Sequence, residues 1–316
     1  MATSGSVDWT VTRDEIIKAA YRLVVSDEDF TPTTNQTNNA ALLLNGIVKS
    51  YNASLGMPLW ALNYAFILPV SGTYAATIGS GHVTASYTRT TLSADSAAND
   101  TTIDVTSASG ISSTYYIGVE LDDGDMHWTT VDGAPSGTIV TLTAGVASAA
   151  SSGNNVYCYQ TKLNRPLRIV QAYSIVGDVL SSTSDIPVTM VTTEEYLKLS
   201  NKSQEMYPLY LNYEPLLAGT VKFWPRFSNG ERVVVIRYHR ALEDFDATGD
   251  TPDFPQEWNL PLIYELAVAL APTYNVEVTK LSTLRKERDK WVSEVSENDY
   301  EEGSIYFQPG YSSTGT

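Results

Sequence analysis

Asp122-Asp-Gly-Asp125 sets three carboxylates on one glycine turn, and oxygen ligands so arranged suit a hard cation such as calcium. A full calcium loop of the helix-loop-helix kind also needs a Glu at its twelfth position and helices on either side. Strand-type sequence flanks this turn, so a solvated hairpin turn is the favoured account of Asp122, Asp123 and Asp125. The three histidines, His82, His127 and His239, lie far apart in different strand-type segments, without the i, i+4 spacing of a helix-borne zinc site, and read as structural. Gly79-Ser-Gly-His82 lacks both the nucleophile-elbow pattern and the third glycine of a dinucleotide fingerprint, and reads as a turn. No Gly-x-x-x-x-Gly-Lys-Ser/Thr phosphate loop occurs. Carboxylate pairs for glycoside hydrolysis could be drawn from so many acids, yet nothing fixes a separation or a raised pKa. Cys158 is the single cysteine, which excludes an internal disulfide and a cysteine-built zinc site; between Tyr157 and Tyr159 it reads as a small buried hydrophobe. No catalytic residue, metal or cofactor is expected, and the chain reads as a non-enzyme.

Composition bounds the class of partner. At 316 residues and 43% hydrophobic the chain is globular, with room for two domains or one core bearing an insertion. Its net charge of −16 argues against gripping nucleic acid, because holding phosphate requires Lys and Arg to displace counterions. Residues 90–161 hold eight Asp or Glu and no Lys or Arg, so this Ala-, Ser-, Thr- and Gly-rich block carries half of that charge. Residues 1–7 have neither the basic start nor the apolar stretch of a signal peptide, and the apolar run at 57–70 is broken by Asn63 and well short of the roughly 20 residues that span a bilayer. No membrane segment is expected, and a reducing compartment fits.

The elements that would position these groups follow from periodicity. Thr12 and Glu15 form a capping-box pair ahead of Ile16, Ile17, Ala20, Leu23 and Val24, predicting a helix over 12–25. Leu44, Ile47, Val48, Tyr51 and Leu55 predict a second over 37–55, stopped by Gly56 and Pro58. From Trp60 the period becomes two, through Leu62, Tyr64, Phe66 and Leu68, predicting a strand, with a short helix after Pro58 as the alternative; another strand is expected at 82–89. Inside the acidic block five short strands are expected at 102–106, 115–121, 126–131, 138–143 and 156–159, with 144–152 a loop. Beyond it, strands are expected near 167–175, 186–191, 207–213, 219–224 and 232–239, with a short helix at 193–200 and Asn229-Gly230 as the hairpin turn between the last two strands. Trp258, Leu262, Leu266 and Leu270 make an i, i+4 stripe. Leu281, Leu284, Arg288, Trp291 and Val295 continue as a charged helix, giving a helical hairpin around 272–275.

Twenty Tyr and six Trp could line a sugar groove, but Trp60, Trp258 and Trp291 sit in apolar stripes and read as core. Tyr300, Tyr306, Phe307 and Tyr311, after the last helix, lack an obvious home and are candidates for docking on another subunit.

A succession of short motifs then resembles a known family. Gly56-Met-Pro-Leu-Trp60 after a helical pair is followed by Thr193-Glu-Glu-Tyr-Leu-Lys-Leu-Ser-Asn-Lys202, Tyr210-Leu-Asn-Tyr213 and Val221-Lys-Phe-Trp-Pro225. Arg237-Tyr-His-Arg240, Phe254-Pro-Gln-Glu-Trp258 and the 266–274 segment complete the series. Together they resemble the head-to-tail adaptor (connector, tail tubular) proteins of short-tailed bacteriophages, and the 116–131 segment looks like β-insertions in phage tail proteins. The resemblance implies a virion protein assembled in the host bacterial cytoplasm. It would self-associate in a dodecameric ring beneath the portal protein, offer a platform to the tail nozzle protein, and form part of the channel for passing DNA without sequence-specific binding. In that family a C-terminal extension grips the portal.

The expected fold class is α+β: a helical bundle from the N- and C-terminal helices plus an antiparallel β-sheet, with an inserted all-β barrel or sandwich module. The expected divisions are 1–88 and 166–298 for the body, 89–165 for the module and 299–316 for an extended tail. The alternative function is a carbohydrate- or receptor-binding tail component with the module as reader and Trp128 in its site. A third class is a cell-wall hydrolase using a carboxylate pair.

Overall fold

The computed structural model describes residues 9–54, 59–70, 75–176 and 185–297. The expected stop signals Gly56 and Pro58, and the aromatic segment with Tyr300, Tyr306, Phe307 and Tyr311, lie outside the described residues. Its elements begin with α1 (Arg13–Val25), α2 (Thr34–Ser54), β1 (Leu62–Ile67), β2 (Ala75–Thr77), β3 (Val83–Thr84) and β4 (Thr88–Thr91). Then come β5 (Thr102–Asp104), β6 (Tyr116–Glu120), β7 (Met126–Thr130), β8 (Ile139–Thr141) and β9 (Asn155–Tyr159). They continue with β10 (Arg168–Val176), β11 (Ile186–Met190), α3 (Thr193–Lys198), β12 (Glu205–Met206) and β13 (Tyr210–Glu214). The last are β14 (Thr220–Trp224), β15 (Arg226–Phe227), β16 (Arg232–His239), α4 (Asn259–Leu270) and α5 (Val278–Ser296). The fold is α+β with a β-module, and the chain divides into a helical unit, Met1–Ala61 with Leu242–Thr316, and a β unit, Leu62–Ala241. The boundaries expected at 88/89 and 165/166 therefore fall inside the β unit, and the module's first strand, β4, starts at Thr88.

In the helical unit α4 packs on α1, α2 and α5. Its stripe Trp258, Leu262, Leu266 and Leu270 is buried, together with Ile16, Ile17, Ala20, Tyr21 and Val24 of α1 and Ala40, Leu44, Val48 and Tyr51 of α2. The Thr12 and Glu15 side chains cap each other's backbone as the sequence predicts, fixing where α1 begins. Helix α2 starts earlier than expected because Thr33 and Gln36 make the same reciprocal pair, which a periodicity read from Leu44 does not detect. Asn45 brackets the Phe245 backbone, donating to its carbonyl at 3.0 Å and accepting its N–H at 2.9 Å, so the returning chain is tied to α2. On α5 only Leu284 is buried among the described residues, and Arg288 reaches Glu265 of α4 at 2.9 Å.

The β unit is built on an eight-stranded sheet in the order β2-β14-β13-β11-β10-β16-β1-β3. Its named pairings are antiparallel except β11 with β13, where the expected all-antiparallel sheet is corrected: a parallel pair needs a crossover, and the stretch from 191 to 209, carrying α3, supplies it. Trp60 falls in a 3-10 turn (Leu59–Ala61) ahead of the strand, and β1 then serves two cores, Ala65 and Ile67 on one face, Phe66 and Leu68 on the other. The run Val233-Val-Val-Ile236 is wholly buried for the same reason, since a strand covered on both faces has no polar side to alternate with. The expected 229–230 hairpin is also corrected. β14 pairs with β13 and β2, β16 pairs with β1 and β10, and Asn229-Gly230 joins strands that are not neighbours.

All five strands expected in the acidic block form. The four-stranded sheet β4-β9-β6-β7 and the ribbon β5-β8 are linked by the bridges Leu92↔Val105 and Val131↔Leu142, so antiparallel pairing runs full circle through six strands. Inside lie Ile103, Val105, Ile117, Val119, Val140, Leu142, Val156 and Cys158. Period-two alternation sends the intervening residues Tyr116, Trp128, Tyr157 and Tyr159, with Met126, to the opposite side, where they meet Phe66, Leu68, Tyr173, Ile175, Val233 and Val235 of the large sheet.

Candidate functional site

The acidic residues of the module divide by task. Asp95, Asp100, Asp122, Asp123, Asp125 and Asp132 are exposed, whereas Asp104 and Glu120 are half-buried. Four of the exposed carboxylates accept a loop backbone N–H: Asp95 from Ser152, Asp100 from Ala97, Asp122 from Ser151 and Asp123 from Asp125. Asp122 also takes the Ser151 hydroxyl and the Asn154 amide, and these bonds, led by the Ser151 N–H, hold its carboxyl below the usual range. Gly124 supplies the positive φ of 86° on which the turn depends. Thus the three candidate ligands Asp122, Asp123 and Asp125 share a turn, but Asp122 and Asp123 already spend their oxygens on the module's own loops. Among the described residues no group of three His, Cys, Asp or Glu has the arrangement of a metal site.

The aromatic face of the module is a joint within the β unit. Trp128 lies over Gly118, its cross-strand neighbour, stacks on His82 at a ring separation of 3.8 Å, and donates Nε1–H to the Pro69 carbonyl at 2.9 Å. His82 Nδ1 is 2.9 Å from the Tyr159 hydroxyl. Glu120 accepts the Gly230 N–H at 2.9 Å and both the N–H and the amide of Asn155, while the buried Tyr157 hydroxyl donates to the Gly230 carbonyl at 2.6 Å. The Asn229-Gly230 signal therefore marks an anchor for the module and not a hairpin. Trp128 is not a free stacking platform, and replacing it would disturb this joint whether or not a glycan binds the module. Cys158 points into the module core, where burial pushes its thiol up to about 12, far from the thiolate a nucleophile requires.

The His82 environment gives a pH dependence. Burial first, and the Lys162 ammonium second, depress its pKa from 6.5 to about 3. The unfolded chain therefore binds this proton between pH 6.5 and 3 and the folded chain does not, so the stability that a neutral His82 allows is complete above pH 6.5 and falls with pH through that window. Between pH 7 and pH 5 the β unit should lose about 2 kcal/mol from this group. Urea titrations at the two pH values should show the loss shrinking by that amount in His82→Phe; an unchanged loss would mean His82 is protonated in the fold.

The helical unit carries a groove of about 740 Å³, lined by Trp9, Trp60, Trp258, Trp291, Val295 and the carboxylate-bearing Glu257 and Glu294. Trp258 is core, as expected. Trp60 and Trp291 are only half-buried, so their placement in the core is corrected: each has one side in the groove. Their Nε1 atoms are buried and have no hydrogen-bond partner among the described residues. Trp9, half exposed at 51%, forms the rim and is held by its N–H to Gln256 and by Asn259 on its carbonyl. Apolar periodicity could not separate these tryptophans, because a half-buried groove wall and a core position share the same spacing.

No protein-family model matches the chain, and no curated protein matches it. Among solved structures it is similar to a tailspike of Acinetobacter baumannii bacteriophage AP22 in complex with A. baumannii capsular saccharide, at 18% identity and a TM-score of 0.22. That match covers 25% of this chain and 16% of the tailspike chain, and a likeness so slight carries no argument about fold or function. No helix among the described residues is long and apolar enough to cross a membrane.

Proposed function

We propose that this chain is a structural virion protein, a head-to-tail adaptor that assembles as a ring beneath a portal and forms part of the DNA channel. The observation that carries the reading is the topology of the units: α1 and α2 from one end of the chain and α4 and α5 from the other pack into one helical unit, between whose halves the whole β unit is inserted. That is the order in which the adaptor-like motifs run. The acidic surface supports it too. A conduit for DNA should not hold phosphate, and a net charge of −16 repels it. The portal contact and the ring come from the resemblance of the motifs to the adaptor family.

The test is association. Alone, the chain is expected to elute as a monomer in size-exclusion chromatography with light scattering, and with its cognate portal it should shift to a single high-mass complex of ring stoichiometry, since heterologous contacts close when the rotation permits. Separate elution of the two across a range of salt concentrations would overturn the reading.

A further inference from the structure

The hairpin of β13 and β14 ends in an apolar tip. Pairing stops at Glu214↔Thr220, and the turn between them reads Pro215-Leu-Leu-Ala-Gly219. Hairpin turns usually carry Gly, Asn, Asp or Ser, which suit both the tight backbone and the water around it. Here Leu216 is 60% exposed and Leu217 99% exposed. The tip is nonetheless fixed. The Gly219 N–H donates to the Leu216 carbonyl at 2.9 Å, the Leu216 N–H to the Glu214 carbonyl at 2.8 Å, and the Ile78 N–H to the Gly219 carbonyl at 3.0 Å. Gly219 stands at a φ of 70°, with the Tyr213 hydroxyl and Arg165 Cγ packed where a side chain would go. A leucine as exposed as Leu217 adds no burial to its own chain, and holding it rigid spares a partner the cost of ordering it.

Positive charge flanks this tip in a chain of net charge −16. Lys162, Arg165 and Arg168 fall in a stretch, 162–168, that holds no acid, and the exposed Arg165 donates to the Pro215 carbonyl at 3.4 Å, at the base of the turn. The complementary surface is carried by the same chain. The groove of about 740 Å³ is walled by Trp9, Trp60, Trp258 and Trp291, and it presents the exposed carboxylate of Glu257. Its volume lies within the roughly 300–1,000 Å³ of typical pockets and admits several large side chains. A protruding apolar element and an apolar pocket at different places on one molecule make a head-to-tail contact, which repeats from copy to copy.

We propose that the 215–218 tip of one copy seats in the tryptophan groove of a second copy, with Leu216 and Leu217 against Trp9 and its neighbours and Arg165 opposite Glu257. The contact deepens the ring reading and rests on it for a portal that holds the copies side by side. Two leucines fall far short of the roughly 1,200–2,000 Å² buried in a stable interface, so the free chain stays monomeric and the pairing is weak until neighbours are fixed in place.

Labelled and unlabelled full-length chains test the contact without a portal. Protein with isotope-labelled indoles, carrying Leu216→Ala with Leu217→Ala so that its own tip is silent, is titrated with unlabelled wild-type protein to high concentration. The Trp9 Nε1–H signal should shift progressively. Unlabelled protein with the same two substitutions should leave it in place, and unlabelled Arg165→Glu should give a shift several-fold smaller at equal concentration. Trp128, bound in the joint of the β unit, should not move in any titration. A Trp9 signal that stays in place with wild-type protein, or moves equally with the substituted one, would overturn the proposal. These outcomes are separable from those of the ring reading: a portal complex without a tip-dependent Trp9 shift overturns this contact alone, and a tip-dependent shift without portal association upholds the contact and removes the adaptor.

Discussion

Gly118→Ala is expected to destabilise the β unit by about 2 kcal/mol, and Gly118→Val by more, although glycine in the middle of a strand is ordinarily a weakness that any side chain would relieve. The reason is the Trp128 ring. A Cβ at position 118 would stand 2.7 Å from Cε2 and Cζ2 of that indole and 2.8 Å from Cδ2, distances no carbon pair sustains. The ring has little freedom to yield, because its Nε1–H is bound to the Pro69 carbonyl and its face is stacked on His82. Moving it breaks a half-buried hydrogen bond and opens the contact through which the module joins the large sheet. Urea unfolding of single and double variants isolates the cause: in a Trp128→Leu background the cost of Gly118→Ala should fall to roughly 0.5 kcal/mol or less. An equal cost in both backgrounds would place the strain elsewhere.

Much of this architecture was legible in the chain because local signals and tertiary outcome agree. The five module strands are short β-branched runs punctuated by Gly turns, and each forms where the composition changes. The Thr12 and Glu15 pair and the stripe from Trp258 to Leu270 act within a few residues of themselves, so no distant partner was needed to read them. Apart from the start of α2, set by the local Thr33 and Gln36 pair, the failures are long-range. Asn229-Gly230 carries a strong hairpin signal, but its glycine is claimed by Glu120 and Tyr157, 110 and 73 residues away, while β16 finds its partners in β1 and β10. Trp128 looked available to a sugar because nothing near it in sequence covers it; the cover is His82, brought in by the sheet. The acidic block forms its β-strands within the β unit, and four of its carboxylates serve its own loops, a role that depends on which loop amides lie within reach once the strands have paired. The groove was missed for a related reason. Sequence periodicity shows which side of a helix is apolar, and gives no sign of how much of that side another element will cover.

The helical unit offers the sharper test of how its halves hold together. Trp258→Ala should cost about 3–5 kcal/mol, the range for removing a buried large aromatic side chain without refilling its space. Trp258 is 2% exposed and lies at the start of α4, where its ring centre is 5.8 Å from Tyr51 of α2, 6.0 Å from Phe254 and 6.2 Å from Trp60. Those contacts join a residue from the C-terminal part of the chain to two from the N-terminal part, so the loss falls on the association of the two ends and not on one helix. Each aromatic pair adds roughly 0.5–1.5 kcal/mol beyond area burial, which is why the upper half of the range is expected. Trp9→Ala, at the exposed rim of the same groove, supplies the contrast and should change stability by about 0.5 kcal/mol or less. Denaturant unfolding followed by helical circular dichroism should separate the two variants by several kcal/mol, with the β unit's transition unmoved in both. If Trp258→Ala cost no more than Trp9→Ala, the two ends of the chain would be held chiefly by polar ties such as Asn45 to Phe245 and Arg288 to Glu265, and the aromatic cluster would be free to serve binding alone.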